Sequence, residues 1–227
     1  MLKLVKTRQY WFILCVQLIL YFMTPFMGYH NYLALLFIAC LFGVFGTVIS
    51  SIWGARSPRI IAIICMITVV ILAVIGHLPG ARMEVYLQCL TASCFMFAIF
   101  IFIAIISIGK DVLVDQKDSF NAILGSICIF IFIGYFFTFI FAGLGLLVPE
   151  SMHVYSVFTP LHADAFADYM YFSFSTLTTV GFGDITATKP ITRMVAAFES
   201  VVGVLYIAIM ISRLVSLHAA EKGGSNT

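Results

Sequence analysis

The chain has 227 residues, 63% of them hydrophobic and only 10% charged, with a formal net charge of +2. This is far more apolar than a soluble domain needs for its core, and so small a net charge gives no sign of a nucleic-acid partner. The composition indicates an all-α membrane protein: a helical span takes about 20 apolar residues, and six stretches of that order recur with few or no internal charges.

The first stretch covers 10–28. Lys3, Lys6 and Arg8 precede it as they would a signal peptide, but the run is long, no small-residue cleavage site follows, and the next stretch starts almost at once. It reads as a retained span. Three more follow at 32–53, 60–78 and 85–108, so that residues 1–109 form a four-helix transmembrane unit. Residues 110–119 are a cytoplasmic linker of mixed charge, whose Val112 to Val114 cluster suits either a stretch along the inner membrane surface or a plain loop. A fifth span at 121–148 and a last at 191–217 bound residues 120–217 as a second unit, and 218–227 reads as a short, disordered tail. The tail is too short for a cytoplasmic ligand-binding module.

Lys3, Lys6, Arg8, Arg56, Arg59, Lys110, Lys117 and Lys222 fall at the amino terminus, in alternate loops or in the tail. Six spans put all of them on one side, which makes both termini cytoplasmic, and Arg213 joins them by snorkelling. Arg82, Lys189 and Arg193 are exceptions on the other face, where Glu84, Glu150, Asp164, Asp168 and Asp184 leave the outside relatively acidic. The six cysteines, Cys15, Cys40, Cys65, Cys89, Cys94 and Cys128, all fall in spans without metal-ligand spacing and are expected to be buried free thiols.

Between the fifth and last spans, residues 165–178 suit a helix of about four turns, roughly 20 Å long, which reaches only partway through a bilayer. It reads as a re-entrant pore helix. The following TVGFG is too short for a span and too rich in glycine for a buried helix, so it is expected to be extended and to line a polar cavity. Gly181 and Gly183 allow dihedrals that aim successive carbonyls one way, and such a line of oxygens, with the Thr179 hydroxyl below, can replace the water shell of a monovalent cation.

The run Thr178, Thr179, Val180, Gly181, Phe182, Gly183, Asp184 resembles the selectivity-filter signature of tetrameric potassium channels, whose commoner form has tyrosine where Phe182 stands. The resemblance implies that Thr179, Val180, Gly181 and Phe182 coordinate K+, the transported ion, with no organic cofactor. Gly183 would shape the outer mouth, Asp184 would sit above it, and Thr178 would support the filter. One signature per chain implies a homotetramer among membrane lipids in the plasma membrane. The missing hydroxyl of Phe182 leaves Tyr169 and Tyr171 to support the filter by packing. Ser175 stands where some relatives carry a glutamate, so Asp184 is expected to lack that partner.

Gly203 matches the family's inner-helix hinge glycine, with packing against a neighbour as the alternative. Val204, Ile207 and Ile211 are expected on an apolar cavity wall. Glu199, inside the last span, is either functional or paired with Arg193 or another polar neighbour. The fourth span lacks the regularly spaced cations of voltage-gated relatives, which argues against a voltage sensor. His153 and His162 are candidate proton sensors in the outer loop. The reading is passive K+ conduction. A weakly selective cation pore is the first alternative, and a transporter or non-conducting subunit the second. No enzyme motif such as HExxH, a nucleophile elbow or a phosphate loop is present.

Overall fold

The computed structural model describes residues 2–26, 56–76, 82–110, 112, 119–148, 150–154 and 164–224. Helix α1, Leu2–Met23, closes in a 3-10 turn at Thr24–Phe26, where Pro25 removes a backbone donor and the Thr24 hydroxyl donates back to the Leu20 carbonyl at 2.7 Å. Next come α2, Arg56–Gly76, and α3, Met83–Lys110, whose Glu84 and Lys110 sit at the ends that suit the helix dipole. Then follow α4, Ser119–Leu147, a short strand β1, Met152–Val154, the half-length helix α5, Asp164–Leu177, strand β2, Ile185–Ala187, and α6, Pro190–Gly224. Pro190 opens α6 where a missing N–H costs nothing.

Four segments among the described residues are long and apolar enough to cross a membrane: Gln9–Phe26, Met83–Lys110, Phe120–Leu147 and Pro190–Arg213. Helix α2 contributes a shorter apolar stretch, Ile63–Leu72. The expected span at 32–53 and most of the 110–119 linker lie outside the described residues.

Helix α4 is the centre of the protein, with α1, α3, α5 and α6 all packed against it. Aromatic rings supply much of this packing: Phe141 meets Phe172 of α5 edge to face at 4.9 Å, and Phe139 stacks on Phe97 of α3 at 4.9 Å. Polar groups stitch α1 to α4 within this apolar setting. Buried Gln17 donates from Nε2 to the Cys128 carbonyl at 3.1 Å, and the Tyr135 hydroxyl donates to the Gln17 carbonyl at 2.9 Å. A buried amide without such partners would cost more than the bond returns, so these contacts pin the register of α1.

Two expectations are corrected. Helix α6 continues to Gly224, so most of the anticipated disordered tail is helical, built from good helix formers such as Ala219, Ala220, Glu221 and Lys222. Cys15 is exposed and Cys89 half-buried; Cys65, Cys94 and Cys128 are buried free thiols, and Cys40 lies outside the described residues. Strands β1 and β2 pair antiparallel, Met152 opposite Ala187, His153 opposite Thr186 and Val154 opposite Ile185.

Candidate functional site

Helix α5 has 14 residues, about 20 Å of helix, too short to cross a bilayer. Its last turn is capped by the chain that leaves it. The Thr178 amide donates to the Phe174 carbonyl at 3.1 Å, Thr179 to Thr176 at 3.0 Å, and Val180 and Gly181 both donate to Ser175 at 3.0 and 3.3 Å. The Thr178 hydroxyl adds a bond to the Phe174 carbonyl at 2.7 Å. Ser175 therefore contributes its backbone carbonyl to holding the start of the segment that leaves α5.

Beyond this cap the backbone alternates in hand. Thr179, Gly181 and Gly183 have φ of 60°, 56° and 81°, whereas Val180 and Phe182 stay at negative φ. Such alternation turns successive carbonyls toward one side of the chain and amides toward the other. The segment is therefore not a plain extended strand. Glycine at 181 and 183 serves conformation and not crowding, since an added Cβ would meet nothing within 4 Å at either position. Thr179 is a genuine outlier, because a β-branched residue in this region costs on the order of 1–3 kcal/mol.

Every residue of 178–184 is exposed in the protomer, including Val180 and Phe182. Among the described residues no group of three or more His, Cys, Asp or Glu could hold a metal ion. Within 179–183 the oxygens open to a cation are backbone carbonyls and the Thr179 hydroxyl.

Tyr171 organises the outer end. Its ring stacks on Phe182 with centroids 5.9 Å apart and planes 13° apart, and its hydroxyl donates to Asp184 Oδ2 at 2.8 Å. Asp184 Oδ1 accepts from the Ile185 amide at 2.9 Å. The expectation that Asp184 lacks a partner is thus overturned: a tyrosine one turn before Ser175 fills the role through its hydroxyl, and its ring also supplies the anticipated packing on Phe182. Desolvation first, then the hydrogen bond to Asp184 and its charge, raise the Tyr171 phenol above the ordinary tyrosine value, so it remains a donor. Tyr169 is buried toward α4 and packs away from this end. The β1–β2 ribbon begins immediately after Asp184. It is anchored by the Thr188 amide to the Ser151 carbonyl at 3.0 Å and by the Thr188 hydroxyl to the Glu150 carbonyl.

Behind α5, one face of α6 forms a seam. Glu199, Ser200 and Gly203 meet Ser173, Thr176 and Leu177. The Ser200 hydroxyl lies 3.1 Å from the Thr176 carbonyl, and Ser173 Oγ lies 2.6 Å from Glu199 Oε1. Gly203 is buried, and a Cβ there would collide with the Leu177 carbonyl, a backbone group that cannot yield easily. The geometry gives Gly203 the packing role, within a helix that continues past it. Arg193 does not pair with Glu199; its Nε donates to the Ala187 carbonyl at 3.0 Å.

The structure thus gathers Tyr171, Ser175, 178–184 and Gly203 around the end of α5. Val204, Ile207 and Ile211 lie further along α6, all exposed. His153 sits in β1 and His162 lies outside the described residues. Ser173, Thr176 and Ser200 escaped sequence reading. Their signal was small and polar residues at helical spacing on two apolar helices, 173/176/177 and 199/200/203.

Residues 144–219, from the end of α4 into α6, match the model of a family described as an ion channel. No curated protein and no solved structure matches the chain.

Proposed function

We propose that the chain is one subunit of a homotetrameric, potassium-selective channel of the plasma membrane that opens without a charged voltage-sensing helix. An ion-channel domain over 144–219 already supports ion conduction by a membrane protein. The observation that carries the finer reading is the alternation of φ from Thr179 to Gly183 on a segment wholly exposed in the protomer. A single such line of carbonyls can cover only one side of an ion. Four copies around an axis would surround it with rings from Thr179, Val180, Gly181 and Phe182, replacing water at each level.

Topology supports the same reading. Both α1 and α2 begin at cations, Lys3, Lys6 and Arg8 in one case and Arg56 and Arg59 in the other. The positive-inside tendency favours placing both starts in the cytoplasm. Lys110 at the end of α3, and Arg213 and Lys222 late in α6, then fall on the same side. Both termini are cytoplasmic in this arrangement. The outer face carries Asp184 and Glu150, which favour cations near the mouth.

The test is the reversal potential of the purified protein in planar bilayers under opposed K+ and Na+ gradients. The proposal expects reversal near the potassium equilibrium value, with open probability almost flat in voltage. Reversal near zero would instead favour the weakly selective pore, for which Phe182 is the motivating residue. Steep voltage dependence would overturn the absence of a sensor.

A further inference from the structure

We propose that Glu199 is held as a neutral carboxylic acid and acts as the hydrogen-bond donor that positions α5 behind the filter. The positioning role rests on the filter reading above. Glu199 and Ser173 are both fully buried. Ser173 Oγ lies 2.6 Å from Glu199 Oε1 and 2.8 Å from the Gly134 carbonyl of α4. A serine hydroxyl has one proton, a carbonyl can only accept, and an ionised carboxylate can only accept. Were Glu199 ionised, one of these two short oxygen–oxygen contacts would contain no hydrogen. With the proton on Oε1, Glu199 donates to Ser173 and Ser173 donates to Gly134, and both contacts are satisfied.

The surroundings agree. Glu199 Oε2 has no hydrogen-bond partner among the described residues, and the Arg193 guanidinium turns to Ala187 instead. An uncompensated carboxylate in such a place is far costlier than a neutral acid carbonyl. The relay joins α6, α5 and α4 six residues before Thr179. It fixes the helix whose last carbonyls hold Val180 and Gly181. Glu199 is therefore a positioning residue, one that touches no ion.

Infrared spectra of the purified protein in lipid, wild type against Glu199→Gln, test the proton directly. The expected result is a protonated-carboxyl band in wild type that the variant lacks. Absence of that band overturns the proposal. Permeability ratios test the role. The carboxamide of Glu199→Gln can donate to Ser173 as the acid does, so its K+/Na+ ratio should stay within about twofold of wild type. Glu199→Leu, similar in size without a donor, should lower the ratio about fivefold, the equivalent of one net hydrogen bond. A glutamine variant that fails as badly as leucine would show that the charge was required and overturn the proposal. Should the leucine variant not assemble, the band and the glutamine ratio still decide. A wild type that shows the band yet fails to select potassium overturns the filter reading and leaves the proton assignment standing.

Discussion

Helices α4 and α6 are both long and apolar, at 29 and 35 residues, yet 67% of the membrane-length window of α4 is buried inside the protomer against 17% for α6. Helix α4 is consumed by its own chain, with α1, α3, α5 and α6 on its sides. The main contacts of α6 are one seam with α5 and a face on α4. Phe198, Val201, Val204, Leu205, Ile209 and Ile211 are left outside. The lesson is that apolar composition does not specify the covering partner. An uncovered apolar surface of this extent on a membrane protein belongs to lipid, to other copies, or to a cavity between copies. The fully exposed segment 178–184 is followed by β2 and then by this helix.

The contrast can be broken by substitution. Phe141→Ala, in the core of α4 and fully buried, should destabilise the protomer by about 3–5 kcal/mol, visible as a lowered thermal midpoint in detergent. Gly203→Ala lies on α6 but in the seam, and the collision with the Leu177 carbonyl should cost about 1–3 kcal/mol and reduce conduction with it. Its control is Gly109→Ala in α3, where a Cβ meets nothing within 4 Å and the helix should gain up to about 1 kcal/mol. If both alanines behave alike, the seam does not constrain α6.

Gly181→Ala meets open space but forces a side chain to φ 56°, a strain of about 1–2 kcal/mol per subunit. Flux assays should show potassium selectivity lost while the protomer stays folded. Tyr171→Phe keeps the stack on Phe182 and loses the bond to Asp184, so its K+/Na+ ratio should fall less than that of Tyr171→Ala. The smallest effect on folding is expected from Ile207→Asn on the exposed side of α6, within about 0.5 kcal/mol. Single-channel conductance should nonetheless change, because a polar ring wets a cavity that an apolar one can dewet.

The long apolar helices and the half-length α5 were legible because each depends on local run length, and the glycine pair announced the unusual backbone at Gly181 and Gly183. The positive φ of Thr179 was not, since nothing in a threonine signals a left-handed backbone and the capping bonds of α5 impose it. Nor was the Tyr171–Asp184 bond, which spans 13 residues and depends on how 178–184 folds back along α5. The Glu199–Ser173 contact needed the packing of α6 on α5. The β1–β2 ribbon needed two three-residue segments on either side of α5 in sequence to meet, and strands so short carry no periodicity of their own.

The proposed assembly has four copies enclosing one potassium-binding path. Its most direct test is the native mass and thermal midpoint of the purified protein in matched KCl and NaCl. The expected result is the mass of four copies and a higher midpoint in potassium, a difference that Gly181→Ala abolishes, because an ion bound only by the assembled fold stabilises it. A mass other than four copies, or equal midpoints in the two salts, would contradict it.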